Sequence, residues 1–386
     1  MTKLEQLIQD LCPNGVKMVK LGDVAEVGTG KSNGNEAIEN GEFPFFVRSK
    51  DVKRLDKYEF DEEAIIIPGE GGIGDIFHYI NGKYALHQRV YRIHFINDSI
   101  NVKFVYYYMS AMFKSYIMMK AVSATVTSIR KPMIENFEIP LPPLAVQSEI
   151  VRLLDKFTLY KSELAAELAA RCKQYEHYRN QLLTFDENTK RVKLGEIGEF
   201  IRGNGLQKKD FTEEGFPCIH YGQIHTYYGT YTTKTKSFVQ DPLYSKLRKA
   251  KKGDLVIATT SEDAAGVCKA VAWLGDEEVA ISGDAYIFRH NQNPKYIAYL
   301  FQTDLFYQFK KKVVTGTKVI RVSGESMQKF EFPLPPLEVQ ERIVTILDRF
   351  DALCNDIKIG LPAEIELRQK QYEHYRDKLL TFEAKG

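Results

Sequence analysis

The chain has 386 residues, 44% hydrophobic and 27% charged, a length that suits two domains, each large enough to bury its own core. No run approaches the roughly 18 apolar residues of a membrane span, and Met1-Thr2-Lys3-Leu4-Glu5 leads into no apolar signal region, so a cytoplasmic protein is expected. The formal charge of +2, from 53 Lys and Arg against 51 Asp and Glu, excludes a strongly basic non-specific nucleic-acid coat, and five scattered cysteines offer neither C-x-x-C zinc spacing nor an even disulfide set.

In chain order, Ala25-Glu26-Val27-Gly28-Thr29-Gly30-Lys31-Ser32 fits a relaxed phosphate-loop pattern, but the strict first glycine is absent and no amphipathic helix follows to supply a positive N-terminus. Ala64-Ile65-Ile66-Ile67 reads as a buried strand. Gly69-Glu70-Gly71-Gly72-Ile73-Gly74 spells the dinucleotide fingerprint, yet Pro68 precedes it and strand-like sequence follows, so a glycine-rich turn is expected. Asp75–Ile80, Asn81-Gly82 and Lys83–Ile93 read as a hairpin with an Asn-Gly turn. Phe104–Lys120 is an aromatic-rich helix of core type.

From Leu144 to Phe185 apolar residues recur at threes and fours behind Pro142 and Pro143, predicting a helix of some 40 residues, about 60 Å at ~1.5 Å per residue. In the second half, Asp254-Leu255-Val256-Ile257 reads as another buried strand and Lys295–Lys312 as another aromatic helix, so each half is α+β. No methyltransferase Pro-Pro-aromatic signature, H-E-x-x-H or G-x-S-x-G occurs, so no catalytic, cofactor or metal residues are assigned.

The strongest signal is internal. KQYEHYRNQLLTF (173–185) recurs as KQYEHYRDKLLTF (370–382), with 11 of 13 positions identical. IPLPPLAVQSEIVRLLDKF (139–157) recurs as FPLPPLEVQERIVTILDRF (332–350), and the starts Val19–Val24 and Val192–Ile197 also match, whereas the middles diverge. A period near 195 residues is too long for a solenoid and means domain duplication. The gap from Phe350 to Lys370 exceeds that from Phe157 to Lys173 by four residues and contains Gly360 and Pro362, which predicts a break in the second helix. Long amphipathic helices need partners, so one repeat's helix is expected to pack on the other's.

These repeated blocks resemble the conserved regions of Type I restriction-modification DNA specificity subunits, over essentially the whole chain. The resemblance implies two mixed α/β target-recognition domains (1–140 and 186–333), separated by an antiparallel pair of long helices (141–185 and 334–386), with an internal pseudo-two-fold repeat. It also implies a non-catalytic subunit that reads a bipartite double-stranded DNA site. Its partners would be two modification subunits carrying S-adenosylmethionine, and restriction subunits using ATP and magnesium. Alternatives are a stand-alone DNA-binding regulator and a coiled-coil scaffold.

Base readers belong on polar loops. In the first head these are Arg48, Ser49, Lys50, His87, Gln88, Arg89, Thr125, Thr127, Ser128 and Arg130. In the second they are Lys208, Lys209, His220, Tyr221, Gln223, His225, Thr260, Ser261, Lys318 and Arg321. Arg89 and Gln223 are the favoured bidentate readers. The second head is the more basic, with 22 basic and 18 acidic residues over 186–331 against 17 and 18 over 1–138. Its runs Lys246–Lys252 and Lys310–Lys312 suit phosphate contact or a solvated face. Tyr175, Tyr178, Leu182, Tyr372, Tyr375 and Leu379 are candidates for partner docking.

Overall fold

The computed structural model describes residues 2–120, 128–356 and 359–385. The chain divides into two compact units, one of Met1–Glu163 with Glu366–Gly386, the other of Leu164–Ile365. The division falls inside a single 39-residue helix, Leu144–Leu182, so the units are not the sequence repeats: each contains helix from both.

The first unit holds a six-stranded sheet in the order 25–29, 90–95, 60–68, 78–86, 43–46, 53–55, antiparallel except for the pairing of 43–46 with 78–86. Strand Phe60–Pro68 shows why its apolar run is continuous. Ile65 and Ile67 enter the core beneath helix Val102–Lys120, while Ala64 and Ile66 fill a separate cluster with Phe46, Tyr84 and Leu86. Both faces are buried, so neither can be polar.

The second unit repeats the device. Leu255 and Ile257 face one core and Val256 and Ala258 another. Its strands form a five-stranded sheet (198–202, 285–290, 255–258, 269–273, 231–232) and a four-stranded one (237–239, 216–219, 279–281, 249–250).

Two expectations change. The Asn-Gly hairpin does not form: His78–Leu86 is one strand, and its ladder with Phe60–Pro68 runs straight through Glu63↔Asn81 and Glu62↔Gly82. A turn comes later, at His87–Val90, where the Val90 N–H donates to the His87 carbonyl at 2.9 Å, and the strand that follows, 90–95, also runs antiparallel to Phe60–Pro68. The second aromatic helix is split into Pro294–Leu300 and Asp304–Val313, because the Thr303 hydroxyl caps the second piece by accepting from the Phe306 N–H.

The second long helix is interrupted between Leu337–Asn355 and Leu361–Leu379. Gly360 sits where a Cβ would lie 2.5 Å from the Ala352 carbonyl oxygen, so only glycine fits this close approach. Pro362 falls in the first turn of the following helix, where its missing N–H costs nothing.

The repeated ends build a frame. The starting blocks pair antiparallel with the strands that lead into each Pro-Pro, Val19 opposite Ile139 and Val192 opposite Phe332. Behind each Pro-Pro a glutamine is fully buried. Gln147 accepts from the Asn101 N–H (2.8 Å) and donates to the Pro142 carbonyl (2.7 Å). Gln340 accepts from the Asn293 N–H (3.1 Å) and donates to the Pro335 carbonyl (2.9 Å).

Two turns on, Asp155 accepts from Lys103 (3.0 Å) and Tyr107 (2.6 Å), and Asp348 from Lys295 (2.7 Å) and Tyr299 (2.8 Å). These bonds fasten each aromatic helix to the helix behind the Pro-Pro motif. Gln147→Leu or Gln340→Leu is expected to cost about 1 to 3 kcal/mol, since each leaves a buried amide and carbonyl unsatisfied. A shift in the urea unfolding midpoint checks this.

Helix Lys3–Leu11 is tied to Leu144–Leu182 through Glu149, whose side chain is 3% exposed. Glu149 accepts from Arg152 at 2.7 and 2.9 Å and from Lys3 at 3.2 Å. The Arg152 guanidinium, with Lys3 behind it, pulls the carboxyl down to about 2 from the usual 4.5. A depressed folded value means that this contribution is complete above the unfolded value and is lost as pH falls from about 4.5 towards about 2. Glu149→Gln is therefore expected to flatten stability across that window, which acid titration of the unfolding midpoint would reveal.

Candidate nucleic-acid interface

In the first head, five polar loops converge at one end of the sheet. His87 N–H donates to the Phe46 carbonyl (3.0 Å), Gln88 N–H to Ser32 (3.1 Å), Gly69 N–H to Arg89 (2.9 Å) and Ile129 N–H to Gly69 (2.7 Å). Arg48, Ser49, Lys50, Gln88 and Arg89 are thereby gathered and exposed, with Arg130 exposed just beyond Ile129. Ser128 is half-buried beside them, and Thr125 and Thr127 lie outside the described residues.

His87 is buried, and its Nδ1 accepts from the Arg89 N–H at 3.0 Å. Burial, and then the charges of Arg48 and Arg89, keep its imidazole below the ordinary value, so it serves as a neutral turn cap and not as an exposed reader. The phosphate-loop look-alike is a strand, Ala25–Thr29. Its Lys31 N–H and Ser32 hydroxyl donate to the carboxylate of Glu59, at 2.8 and 2.6 Å.

In the second head the candidates form two groups. Lys208 and Lys209 are exposed on a short turn, and the charge of Lys208 helps burial to lower the titration of His220. His220 caps helix Tyr221–Thr226 by accepting from the Gly222 N–H, and Gln223 closes the capping box. The Gln223 amide oxygen accepts from the His220 N–H (3.1 Å) and its nitrogen donates to the Ser237 hydroxyl (2.7 Å), so this amide is committed inside the fold.

In the other group, Thr260 pairs with Arg321 and Ser261 with Ile320, while His225 Nε2 donates to the Thr260 carbonyl at 2.9 Å. Arg321 and Lys318 are exposed on this ribbon and its loop. Lys310 leaves the basic run that was a candidate for phosphate contact. It is 5% exposed, and its ammonium donates to the carbonyls of Ala265 (2.7 Å) and Val267 (2.9 Å). In the first head Lys114 donates to Asp75 at 2.7 Å beside the glycine-rich turn, but as a half-exposed ion pair. Lys251 and Lys252 of the other run pair with Glu278 and Asp276.

The helix tyrosines do internal work. Tyr175 is 4% exposed and stacks with Phe350, which removes it from any docking surface. Tyr178 also stacks on Phe350, and Tyr375 on Phe157, with ring centroids 5.5 and 5.4 Å apart, yet both keep an exposed edge. Leu182, Tyr372 and Leu379 are partly buried against the cores. In the first unit, Leu4, Ile8, Leu153, Phe157, Tyr375 and Leu379 line an apolar groove of about 390 Å³.

The family model described as the Type I restriction modification DNA specificity domain matches residues 13–174 and again 186–367. The chain belongs to this family. It is 35% identical over 305 residues to the Escherichia coli type I restriction enzyme EcoR124I/EcoR124II specificity subunit, covering 73% of this chain and 71% of that one. To the Escherichia coli EcoDI specificity subunit it is 22% identical over 376 residues, 89% of this chain and 82% of that one. The crystal structure of a Type I system S subunit from M. genitalium shares the fold at 17% identity, with a TM-score of 0.56 over 95% of this chain and 96% of the other. A chain from a structural study of type I system assembly matches at 15% identity and a TM-score of 0.59, over 96% and 98%.

Within this specificity-domain frame, the residue that sequence reading passed over is Glu70. It lies in the glycine-rich turn and pairs with both Arg48 and Arg89. The available signal was a lone carboxylate among glycines, lying in sequence between the two loops that carry the candidate readers Arg48 and Arg89. Among the described residues no group of three or more His, Cys, Asp or Glu is placed to hold a metal ion. For Gln223→Ala the expected effect is on stability, about 1 kcal/mol from the opened capping box, with base preference unchanged. Urea unfolding together with a comparison of target and altered duplexes separates the two.

Proposed function

We propose that this chain is the sequence-reading subunit of a Type I restriction-modification complex, each head reading one half of a split double-stranded DNA site. The observation that carries this reading is two unlike sets of polar loops mounted on one repeated frame. A frame held by buried Gln147, Gln340, Asp155 and Asp348 tolerates change in the loops, and two different loop sets suit two different half-sites.

In the first head Arg48 and Arg89 are the base readers, since a guanidinium offers paired donors to guanine O6 and N7. Gln88 supports them. In the second head the exposed cations Lys208, Lys209, Lys318 and Arg321 take the DNA, Lys as phosphate contacts and Arg321 as a reader. Two modification subunits supply S-adenosylmethionine and adenine methylation, and restriction subunits supply ATP- and magnesium-dependent cleavage, in the cytoplasm where chromosomal DNA lies. The groove beside Phe157 and Tyr375 is the docking surface for a modification subunit, with the exposed edge of Tyr178 serving in the second unit.

Mapping methylated adenines in cells carrying this chain and its modification subunit is expected to give one asymmetric, bipartite motif. Arg89→Ala should weaken discrimination at one half only, by about 1 to 3 kcal/mol per lost base contact. Equal loss on all sequences would mark Arg89 as a phosphate contact, and the absence of any split motif would sink the reading.

A further inference from the structure

The cluster at the loop end of the first head has an acid at its centre. The Glu70 carboxylate accepts from Arg48 Nη1 at 3.0 Å and from Arg89 Nη1 at 2.9 and 3.0 Å. The pairing is built from the backbone outward. Gly69 gives its N–H to the Arg89 carbonyl and takes the Ile129 N–H on its own carbonyl. Gly71, at φ +76°, passes so near Arg48 that a Cβ there would lie 3.0 Å from the Arg48 carbonyl oxygen. The glycine-rich turn is thus clamped between the two arginine loops, with Glu70 at the point where both side chains arrive.

An exposed ion pair of this kind contributes about 0 to 1 kcal/mol to stability. Arg48 and Arg89 keep roughly half of their side-chain surface, 49% and 57%. The cluster is therefore poorly explained as a means of holding the fold together. Its geometry suits recognition better. Both arginines approach Glu70 through Nη1, so the Nε and Nη2 donors of each guanidinium stay outside the pair. That second edge is the one a guanidinium presents to two acceptors in a plane.

Two arginines alone would carry +2 and would favour any phosphate. With Glu70 between them they carry +1, and an approaching phosphate meets the carboxylate as well. The neutral O6 and N7 acceptors of guanine meet no such repulsion and need no release of the pair.

We propose that Glu70 is a specificity-determining residue of the first head: it holds Arg48 and Arg89 side by side for a guanine edge and opposes their use as phosphate contacts. This rests on the reading of the first head as a DNA reader. Glu70 is a positioning residue, acting on DNA through the two arginines.

The test uses the complex of this chain with its modification subunit, on short duplexes. These carry the mapped target, the target with the first half scrambled, or the target with the second half scrambled, over a range of salt. Glu70→Gln keeps the shape and removes the charge. It is expected to bind first-half-scrambled DNA roughly tenfold more tightly, with a salt slope steeper by about 1, so that first-half discrimination shrinks while second-half discrimination holds. Glu70→Asp keeps the charge and shortens the reach. It should leave scrambled-DNA binding and the salt slope near wild type and weaken target binding.

Unchanged first-half discrimination in both variants, or equal change at both halves, would overturn the proposal. An unfolding midpoint matching wild type shows that the variants are folded. Wild-type complex that prefers neither target nor scrambled DNA would instead defeat the reading of the chain as a DNA reader, an outcome visible before any variant is made.

Discussion

A long helix with an apolar seam is unstable in water until something covers the seam, and in each unit the covering comes from the other repeat's sequence. Phe157, at the end of the first LLDKF block, stacks on Tyr375 of the second KQYEHYR block. Phe350, at the end of the second ILDRF block, stacks on Tyr178 and Tyr175 of the first. Each contact adds about 0.5 to 1.5 kcal/mol beyond simple burial. Its larger consequence is topological. Neither unit is complete on one repeat's sequence, so the two blocks are under one constraint, the block that supplies the ring and the block that receives it. This is a physical reason for the near-identity of 173–185 with 370–382 in a chain whose middles have drifted apart.

The same division runs through the heads. Buried glutamines and aspartates fasten the aromatic helices to the frame with bonds of the same kind in both units, and the starting blocks add matching strand pairs. Above that frame the sheets differ, one of six strands in the first unit and, in the second, one of five, one of four and the two-stranded ribbon of 260–261 with 320–321. In the second unit a buried lysine of the aromatic helix, Lys310, holds the loop above it by two backbone carbonyls, whereas Lys114 of the first unit makes only a half-exposed ion pair with Asp75. A recognition surface built this way can change its chemistry without touching the bonds that carry its fold.

How far the sequence reveals this depends on the range of the interaction. The duplication, the long helices, the break before Leu361 and the doubly buried strands were legible, because periodicity and identity are local properties of the string. The Asn81-Gly82 turn misled, because a strong local turn signal was overridden by a ladder with Phe60–Pro68 that local sequence does not announce. Tyr175 and Lys310 were misplaced for a related reason. A repeated tyrosine and a lysine run look alike whether they face a partner, a phosphate or the chain's own core, and only tertiary burial tells them apart. The match between Asn101-x-Lys103-x-x-x-Tyr107 and Asn293-x-Lys295-x-x-x-Tyr299 was present in the sequence, but without Asp155 and Asp348 opposite nothing marked it as a unit.

The charge pattern then takes on a meaning that the net value hid. A formal +2 is little for a DNA-binding chain, and several surface cations are already paired: Arg48 and Arg89 with Glu70, Lys251 with Glu278, Lys252 with Asp276. Pairing of this kind lowers affinity for phosphate in general, since each neutralised cation releases fewer counterions on binding. For a reader that must pass over millions of wrong sites, the ratio of specific to non-specific binding matters more than either affinity alone. Acids set beside exposed cations, as Glu70 is beside Arg48 and Arg89, reduce the non-specific term directly. On that view the modest charge of this chain is part of how it discriminates.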